Sequence, residues 1–476
     1  MTKAGFTISL IHTNDLHSHL EQHSRIARYI SNVRCEADPE GLLVFDCGDF
    51  LDRARMETEG SQAAVNREAL ELIGYDAAAF GNNEGLSYTI EELDDLFSGM
   101  AVPIVCANMK LAITDQRPSW MSPSVRLERR GVRIGVIGLT APYTSYYELL
   151  GWEVADPMEA LEEEVNRLRP DVDVLILLSH LGIRMDERIA ETFPGIDLIL
   201  GGHTHHLLEK PLRVGNTAIC AASKYGNYVG RLELRFDDSC RLTAIDGGAI
   251  PTDDWPSDES FDRLVAKHRE QAVQAMSKPI ARLKAPLSLR YDRESALPTL
   301  LAAAVRRATG AQIGLVNAGQ LLDSLPEGEV TEGDVHAICP SPINPCTTEL
   351  TGDQLLQALE ESLLPERQQL EIRGFGFRGR VLGTLCLDGM EVTADLSSPP
   401  FAKVLKATVG GEPLVRERSY LVGTLDMFTF GAGYIGLKEG RNVNYFLPDY
   451  IRDLLSMALS DEMLVEQANI SRWTYL

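Results

Sequence analysis

Residue types that bind metal ions stand directly after five apolar segments in the first half of the sequence. The segments end in HTNDLH (12–17), DCGD (46–49), GNNE (81–84), SH (179–180) and GGHTH (201–205). Carboxylate, imidazole and amide oxygen ligands suit divalent metals such as Mn, Zn, Co or Fe. Ions held by such ligands polarise a bound substrate and generate hydroxide from water near neutral pH. The candidate ligands are Asp15, His17, Asp49, Asn82, His180, His203 and His205.

Short apolar runs predict the strands that carry these endings, and helical patterns lie between several of them. The predicted strands are Phe6–Ile11, Leu42–Phe45, Ala77–Phe80, Val102–Ala107, Val132–Leu139, Val172–Leu178, Ile196–Leu200 and Thr217–Ala221. The predicted helices are Ser24–Cys35, with Ser24 as N-cap, Gln62–Ile73, and Pro157–Leu168, with Pro157 at its first position. Strands separated by helices predict an α/β fold with parallel pairing, in which ligands bind beyond the carboxyl ends of the strands. Each ending alone is also typical of a turn or a helix cap, but their joint occurrence predicts one metal site.

The length of 476 residues is sufficient for two or three domains. A turn-rich stretch over residues 246–260 breaks the alternation of strands and helices, and a polar amphipathic helix is predicted after it, over Phe261–Met276. A further helix is predicted over Leu297–Thr309, followed by short strands and Gly- and Pro-rich loops. We therefore predict a first domain over 1–255, a connecting segment over 256–285 and a second domain over 286–476.

The charge and the cysteine pattern limit the environment and the partners of the protein. Lys and Arg number 45 against 69 Asp and Glu, so the net charge is −24. Such a surface repels nucleic acids and anionic membranes, and neither is an expected partner.

No signal peptide, lipid anchor or apolar run of about 20 residues is visible. Eight cysteines without a Cys-x-x-Cys pair are therefore expected to be reduced and mostly buried in a soluble, cytoplasmic protein. The oligomeric state stays open.

The motifs DLH, GD, GNNE, LLSH and GHTH resemble those of the dinuclear metallophosphoesterases, specifically the two-domain 5′-nucleotidase family. The resemblance implies a four-layer αββα sandwich and a second, mixed α/β domain that supplies substrate contacts. It also implies hydrolysis of phosphoester bonds in nucleotides or related small phosphorylated molecules by a metal-activated hydroxide. By the same resemblance, one of two divalent ions is held by Asp15, His17, Asp49 and His205, and the other by Asp49, Asn82, His180 and His203, with Asp49 bridging.

The sequence departs from this family at the third motif. A histidine normally follows the metal-binding asparagine, with an aspartate three positions further on, and these positions are Asn83 and Leu86 here. An asparagine amide donates a hydrogen bond but cannot deliver a proton. Asn83 and His19 are the candidate catalytic residues, His19 or His23 being possible acids unless they are merely solvated or core histidines. Substrates with weakly basic leaving groups, such as phosphoanhydrides or cyclic nucleotides, are therefore expected.

The second domain departs from the family as well. The arginine that ends the family's Asn-Gly turn is replaced by Leu322. The aromatic residues near position 430 are candidates for stacking a base, with burial in the domain core as the alternative. By the resemblance, the predicted substrate-binding residues are Arg293, Asn317, Gly319, Phe428, Phe430 and Tyr434.

Two other functions stay open at this point. The first is a cyclic-nucleotide phosphodiesterase or a hydrolase of nucleotide sugars or phosphoanhydrides. The second is a catalytically weak protein that binds a phosphorylated ligand.

Overall fold

A computed structural model describes residues 5–36 and 38–476. The chain divides into two compact units, Met1–Ala272 and Val273–Leu476. The division falls within the helix Glu259–Ala275, which lies in the segment predicted to connect the domains. The limits 1–255, 256–285 and 286–476 stay a prediction. In the described part of the chain, every helix is too short or too polar to cross a membrane.

The first unit alternates strands and helices. Its strands are β1 (Phe6–Thr13), β2 (Leu42–Asp46), β3 (Ala77–Ala79), β4 (Ile104–Val105), β5 (Met109–Leu111), β6 (Met121–Ser122), β7 (Ser124–Arg129), β8 (Val132–Thr140), β9 (Trp152–Val154), β10 (Val174–His180), β11 (Leu198–Gly201), β12 (Leu212–Val214), β13 (Thr217–Cys220), β14 (Tyr228–Phe236) and β15 (Leu242–Pro251). Its helices are α1 (Leu20–Glu36), α2 (Met56–Gly60), α3 (Ala64–Ile73), α4 (Asn82–Ser87), α5 (Ile90–Phe97), α6 (Thr144–Leu149), α7 (Pro157–Leu168), α8 (Ile183–Thr192) and α9 (Glu259–Ala275). The eight predicted strands and three predicted helices are confirmed. The ends of α7 are those predicted, and the other elements differ at one or both ends.

Two sheets form the centre of this unit, in the orders β15-β14-β1-β2-β3-β4-β6 and β12-β13-β11-β10-β8-β7. Strands β1 to β4 are parallel, as are β8, β10, β11 and β13. A buried apolar cluster lies between the sheets, with Leu10 and Phe45 from one and Val136 and Ile176 from the other. Helices α1, α3 and α5 cover the outer face of the first sheet, and α7 and α8 cover that of the second. The four-layer αββα fold is therefore confirmed. Its central strands are apolar throughout because both of their faces are covered.

The two predicted helix starts had different outcomes. The Asp156 carboxylate accepts hydrogen bonds from the amides of Met158 and Glu159, with Pro157 at the first helical position, as predicted. The N-cap prediction at Ser24 is wrong, because α1 begins at Leu20. The Ser24 hydroxyl instead donates a hydrogen bond of 2.5 Å to Asp262 on α9, a contact that local sequence does not reveal.

The second unit is mixed α/β, as predicted. Its strands are β16 (Pro279–Leu283), β17 (Ile313–Asn317), β18 (Gly328–Thr331), β19 (Pro345–Thr351), β20 (Leu385–Asp388), β21 (Met390–Ala394), β22 (Val404–Val409), β23 (Glu412–Pro413), β24 (Ser419–Leu425), β25 (Arg441–Tyr445) and β26 (Trp473–Tyr475). Its helices are α10 (Ala296–Thr309), α11 (Glu332–Ile338), α12 (Gly352–Ser362), α13 (Pro365–Gln368), α14 (Asp426–Thr429), α15 (Ile435–Lys438), α16 (Ile451–Leu459) and α17 (Glu462–Gln467). The main sheet has the order β20-β17-β24-β19-β25, and only its β17–β24 pair is parallel. The buried helix α10 packs against this sheet and confirms the helix predicted there.

The eight cysteines are free thiols, and all but Cys35 and Cys240 are buried. The prediction of mostly buried thiols is confirmed. Burial raises the pKa of the Cys106 thiol to about 12, which keeps it protonated and unreactive.

Candidate metal centre

The seven predicted ligands come together at the carboxyl ends of the parallel strands. Asp15 and His17 follow β1, Asp49 follows β2, and Asn82 begins α4 just after β3. His180 ends β10, and His203 and His205 follow β11. Parallel register places Thr13 beside Asp46 and Ser179 beside Gly201, so the following residues leave each sheet at one edge.

Five of the seven ligands have a left-handed backbone. The φ angles are 51° at Asp15, 46° at His17, 55° at Asp49, 71° at His203 and 56° at His205. Residues other than glycine seldom adopt this conformation, and clusters of it occur where a functional site imposes it. The tight loops turn these side chains back toward the edge of the sheets.

The first group of donor atoms contains Asp15, His17 and His205. The Asp15 Oδ1 atom is 3.3 Å from His205 Nε2 and 4.0 Å from His17 Nε2. The two imidazole Nε2 atoms are 3.4 Å apart. These three side chains offer ligand atoms that all lie within 4.8 Å of one another, as a metal ion requires.

The second group contains Asp49, Asn82, His180 and His203. His180 Nε2 is 3.2 Å from both Asp49 Oδ1 and Asn82 Oδ1. Asn82 Oδ1 is in turn 2.9 Å from His203 Nδ1. Asp15 also belongs to a compact set with Asp49 and His180.

Both carboxylates therefore link the two groups. Asp49 directs Oδ1 at His180 and places Oδ2 3.8 Å from His17 Nε2. Asp15 Oδ1 lies 4.0 Å from both His17 and His180. The centre is thus a single continuous cluster.

The surroundings keep the carboxylates in the form that binds metal. Burial raises the pKa of Asp15, but the hydrogen bond with His205 and the charge of His180 lower it, and the net shift is downward. Burial also raises the pKa of Asp49, but the charge of His180 outweighs it and holds the pKa of Asp49 well below its usual range. At His180 the charge of Asp49 outweighs burial and raises the pKa to about 10, so a metal ion bound at Nε2 would displace a proton. Burial and the His180 charge lower the pKa of His203 to about 4.

Neighbouring groups fix the orientation of the ligands. The His180 Nδ1–H donates to the Cys47 carbonyl at 2.8 Å, which leaves Nε2 facing the centre. The Asn14 amide donates to Asp15 Oδ2 at 2.7 Å, and the His203 backbone N–H donates to Asp15 Oδ1 at 3.0 Å. Such outer contacts set which atoms of a ligand are presented to a metal. Buried, pre-oriented imidazole nitrogens and carboxylate and amide oxygens fit divalent metal ions.

Asn83 contacts two of the predicted ligands. Its backbone N–H donates to Asp49 Oδ1 at 2.7 Å. Its side-chain Nδ2 lies 2.9 Å from His17 Nδ1 and donates to the Leu51 carbonyl at 3.0 Å. One amide proton is therefore used within the protein, at Leu51, and the amide nitrogen lies beside the predicted ligand His17.

The two histidines considered as acids lie in different places. His19 is partly exposed; its Nδ1 is 3.0 Å from the His17 carbonyl, and its ring stacks on Tyr225 at 4.0 Å. Burial and the charge of Arg55 lower the pKa of His19. His23 is fully buried beside Phe50, which corresponds to the core alternative. The catalytic roles of Asn83 and His19 stay predictions.

Two further residues of the centre are not among those predicted from the sequence. The Glu84 carboxylate accepts the backbone N–H groups of Gly81, Asp49 and Leu51 at 2.8, 3.0 and 2.9 Å, and so joins the loop after β2 to the start of α4. The Tyr143 hydroxyl lies 3.2 Å from His203 Nε2. Tyr143 follows β8, so its position after a predicted strand is the feature of the sequence that points to the centre. Its residue type does not, because a phenol is not a usual metal ligand.

Three of the predicted substrate residues lie on the loops of the second unit. Arg293 is exposed, and its Nε is 3.3 Å from Asp292. Asn317 is buried at the end of β17 and donates to the Leu382 carbonyl at 2.7 Å. Gly319 follows in the same turn, where an added Cβ would lie 1.8 Å from the Val381 carbonyl oxygen, so only glycine fits.

The three predicted aromatic residues differ in exposure. Phe428 and Tyr434 are fully buried and contact each other with ring centroids 5.8 Å apart. They belong to the core of the unit, which agrees with the alternative prediction of burial in the domain core. Phe430 is 41% exposed, and its ring is stacked with that of Phe375, with centroids 6.3 Å apart. Their roles toward a substrate stay predictions.

A helix-covered pair of sheets with a cluster of potential metal ligands at the ends of the parallel strands is the arrangement expected of a metal-dependent hydrolase. Known proteins identify the family more closely. Residues 8–207 match the calcineurin-like phosphoesterase family, and residues 277–438 match the 5′-nucleotidase C-terminal domain. The uncharacterized metallophosphoesterase YunD of Bacillus subtilis (strain 168) is 36% identical over 458 residues, which cover 95% of this chain and 99% of that protein.

Solved structures agree with this match. The crystal structure of a 5′-nucleotidase precursor from Thermus thermophilus is 26% identical and covers 99% of both chains, with a TM-score of 0.63. A putative 5′-nucleotidase from Staphylococcus aureus shares the fold, with a TM-score of 0.73 at 16% identity over 99% of this chain and 100% of that chain. The chain therefore belongs to the metallophosphoesterase family, with the 5′-nucleotidase C-terminal domain as its second part. It is a phosphoesterase hydrolase, and its family implies divalent metal ions.

Proposed function

We propose that this protein hydrolyses phosphoester bonds of nucleotides or related small phosphorylated molecules with two divalent ions bound side by side. The observation that carries the proposal is the continuous cluster of seven donor residues at the strand ends. The identity of the ions is proposed as Mn, Zn, Co or Fe, which share a preference for nitrogen and oxygen ligands.

The proposed ligand sets follow the two groups of donor atoms. One ion takes Asp15, His17, Asp49 and His205, and the other takes Asp49, Asn82, His180 and His203. The different directions of the two Asp49 oxygens support its place as the bridge. When bound, such a pair polarises a phosphoryl oxygen and lowers the pKa of water.

The residues of the chain prepare this site in three ways. Asp15, His17, Asp49 and His180 are buried and hold their donor atoms away from bulk water. Asn82, His203 and His205 are partly exposed and form the accessible side. With the histidines neutral when they bind metal, the two carboxylates would leave two divalent ions with excess positive charge, which would attract a phosphate although the whole protein carries −24.

The state of Asn83 favours a second candidate within this class. Its side-chain amide donates to the Leu51 carbonyl and carries no proton that it can transfer. Proton donation contributes about 10²–10⁴-fold where a leaving group needs it. Phosphoanhydrides, nucleotide sugars and cyclic nucleotides are therefore the proposed better substrates, because their leaving groups are weak bases.

Nucleotides are proposed as substrates on two grounds. The second unit matches the 5′-nucleotidase C-terminal domain, and the 5′-nucleotidase precursor from Thermus aligns along the whole chain. The stacked, half-exposed rings of Phe375 and Phe430 offer an aromatic surface of the kind on which bases stack. We also propose a cytoplasmic location, which the eight free thiols support.

The test is a substrate panel on metal-stripped protein reconstituted with each candidate ion. The panel contains AMP, ADP, a cyclic nucleotide, a nucleotide sugar and bis-p-nitrophenyl phosphate. We expect hydrolysis only with added metal, and faster hydrolysis of ADP than of AMP. Failure to hydrolyse even bis-p-nitrophenyl phosphate with any ion would favour a phospholigand-binding protein, and faster hydrolysis of AMP would contradict the expected preference for weakly basic leaving groups.

A further inference from the structure

The Tyr143 hydroxyl stands at the accessible side of the metal centre. Tyr143 is partly exposed and lies between the end of β8 and the start of α6. Its oxygen is 3.2 Å from His203 Nε2, and the two rings meet edge to face with centroids 5.9 Å apart. The side chain therefore reaches the centre from a strand end that carries no metal ligand.

The backbone on both sides of Tyr143 is firmly held. At the end of β8, the Asn108 side chain donates to the Thr140 carbonyl at 2.9 Å and accepts from the Thr140 N–H at 3.0 Å. On α6, the buried Tyr147 ring packs against α4, where a Cβ added to Gly85 would lie 2.7 Å from Tyr147 Cε1. Because α4 also carries Asn82 and Asn83, the phenol and these two residues share one rigid frame.

The contacts of His203 determine what the phenol can do. His203 Nδ1 faces Asn82 Oδ1 at 2.9 Å, while Nε2 faces Tyr143. If Nδ1 is the metal ligand, the proton of the neutral ring is on Nε2 and is donated to the Tyr143 oxygen. The hydroxyl then accepts from His203 and keeps its own proton for another acceptor.

A substrate phosphoryl group needs such a donor. Charge on its non-bridging oxygens is stabilised in the transition state by fixed hydrogen-bond donors. The side chain at the third motif, Asn83, donates one amide proton to the Leu51 carbonyl and lies 2.9 Å from His17 Nδ1. The Tyr143 hydroxyl is a further donor at the accessible side of the centre.

We propose that Tyr143 donates a hydrogen bond to a non-bridging phosphoryl oxygen of the substrate. The inference rests on the proposed phosphoester hydrolysis. The phenol remains protonated throughout, so its role is to stabilise charge and not to transfer a proton to the leaving group.

The test compares Tyr143→Phe with Tyr29→Phe. Tyr29 is a matched control, because its hydroxyl also accepts one hydrogen bond, from Arg231 at 2.8 Å, outside the centre. With saturating metal, we expect kcat/KM of Tyr143→Phe to fall about 10–100-fold, equally for AMP and p-nitrophenyl phosphate, and that of Tyr29→Phe to stay unchanged. Calorimetry should show weaker binding of inorganic phosphate to the metal-loaded Tyr143→Phe protein, with unchanged affinity for the metal alone.

Several results would overturn the inference. Unchanged kcat/KM and phosphate binding would show that Tyr143 makes no contact with the phosphoryl group. Lower metal affinity, with activity restored by excess metal, would show that Tyr143 only positions His203. A loss confined to AMP would indicate proton donation to the leaving group instead. If the wild-type protein hydrolyses nothing, the proposed function fails, and the phosphate titration still decides whether Tyr143 contacts a phosphate.

Discussion

Replacing Gly81 with alanine places a methyl group against the Asp49 side chain without straining the backbone. Gly81 has φ −83° and ψ 178°, which alanine adopts readily. The added Cβ would lie 2.2 Å from Asp49 N, 2.3 Å from Asp49 Oδ1 and 2.7 Å from Glu84 Oε2. These distances are far below van der Waals contact, so the loop that presents Asp49 must move.

The expected effects have two parts. Overpacking of this kind destabilises proteins by about 1–3 kcal/mol, which lowers Tm by roughly 2–4 °C per kcal/mol for a unit of this size. Displacement of Asp49 should also weaken metal binding, and changes next to metal ligands typically cost about 10–100-fold in affinity. Thermal unfolding measures the first effect, and calorimetric titration with Mn²⁺ measures the second.

Two other glycines separate these effects. Gly195→Ala adds a Cβ at an ordinary distance of 3.6 Å from Arg169, so neither stability nor metal affinity should change appreciably. Gly60→Ala adds a Cβ atom that would lie 2.5 Å from the Cβ of Ala272, so this variant should have a lower Tm and an unchanged metal affinity. If Gly81→Ala binds Mn²⁺ as tightly as the wild type, the assignment of Asp49 to the centre is refuted.

Three further predictions test other parts of the reasoning. Asp49→Ala should abolish hydrolysis and lower the bound metal below two ions per chain, measured by elemental analysis; full activity would contradict its bridging position. Asn83→His combined with Leu86→Asp should raise the ratio of AMP to ADP hydrolysis by about tenfold or more, because the pair supplies a proton donor, and an unchanged ratio would show that leaving-group basicity does not limit the enzyme. Burial raises the pKa of Asp426 to about 7 against hydrogen bonds from Asn344 and Met427 that lower it, so the folded state holds its proton more tightly than the unfolded state. Its contribution to stability is therefore present at low pH and is lost as the pH rises toward 7. Urea unfolding of Asp426→Asn should show a smaller loss between pH 5 and 8, by about 1.4 kcal/mol for each pH unit between 5 and 7; an identical loss in both proteins would be the contrary result.

Much of the fold follows from local patterns. The apolar runs that predict β1, β2, β8 and β10 are long and uninterrupted, since strands covered on both faces bury every side chain. The pattern could not locate the start of α1, because its first turn is decided by packing and Ser24 is engaged with Asp262 on a distant helix.

The candidate ligands were accessible from sequence for a similar reason. Parallel strands end at one edge of a sheet, so polar residues after successive strands meet there whatever the details of the loops. The combination of carboxylate, imidazole and amide side chains then favours metal binding. The motifs around Asp15, Asp49 and His203 thus indicate both the site and the family from the order of residues alone.

The tertiary structure alone decided how these residues are used. Left-handed backbone at Asp15 and Asp49 and the directions of their oxygens depend on loop conformation, which no spacing encodes. Likewise, burial placed Phe428 inside the core, and packing of α6 on α4 brought Tyr143 to His203. The sequence by itself determined which chemical groups are present and at which edge they gather. Their mutual distances depend on contacts between residues far apart in the chain, and only the folded structure sets those.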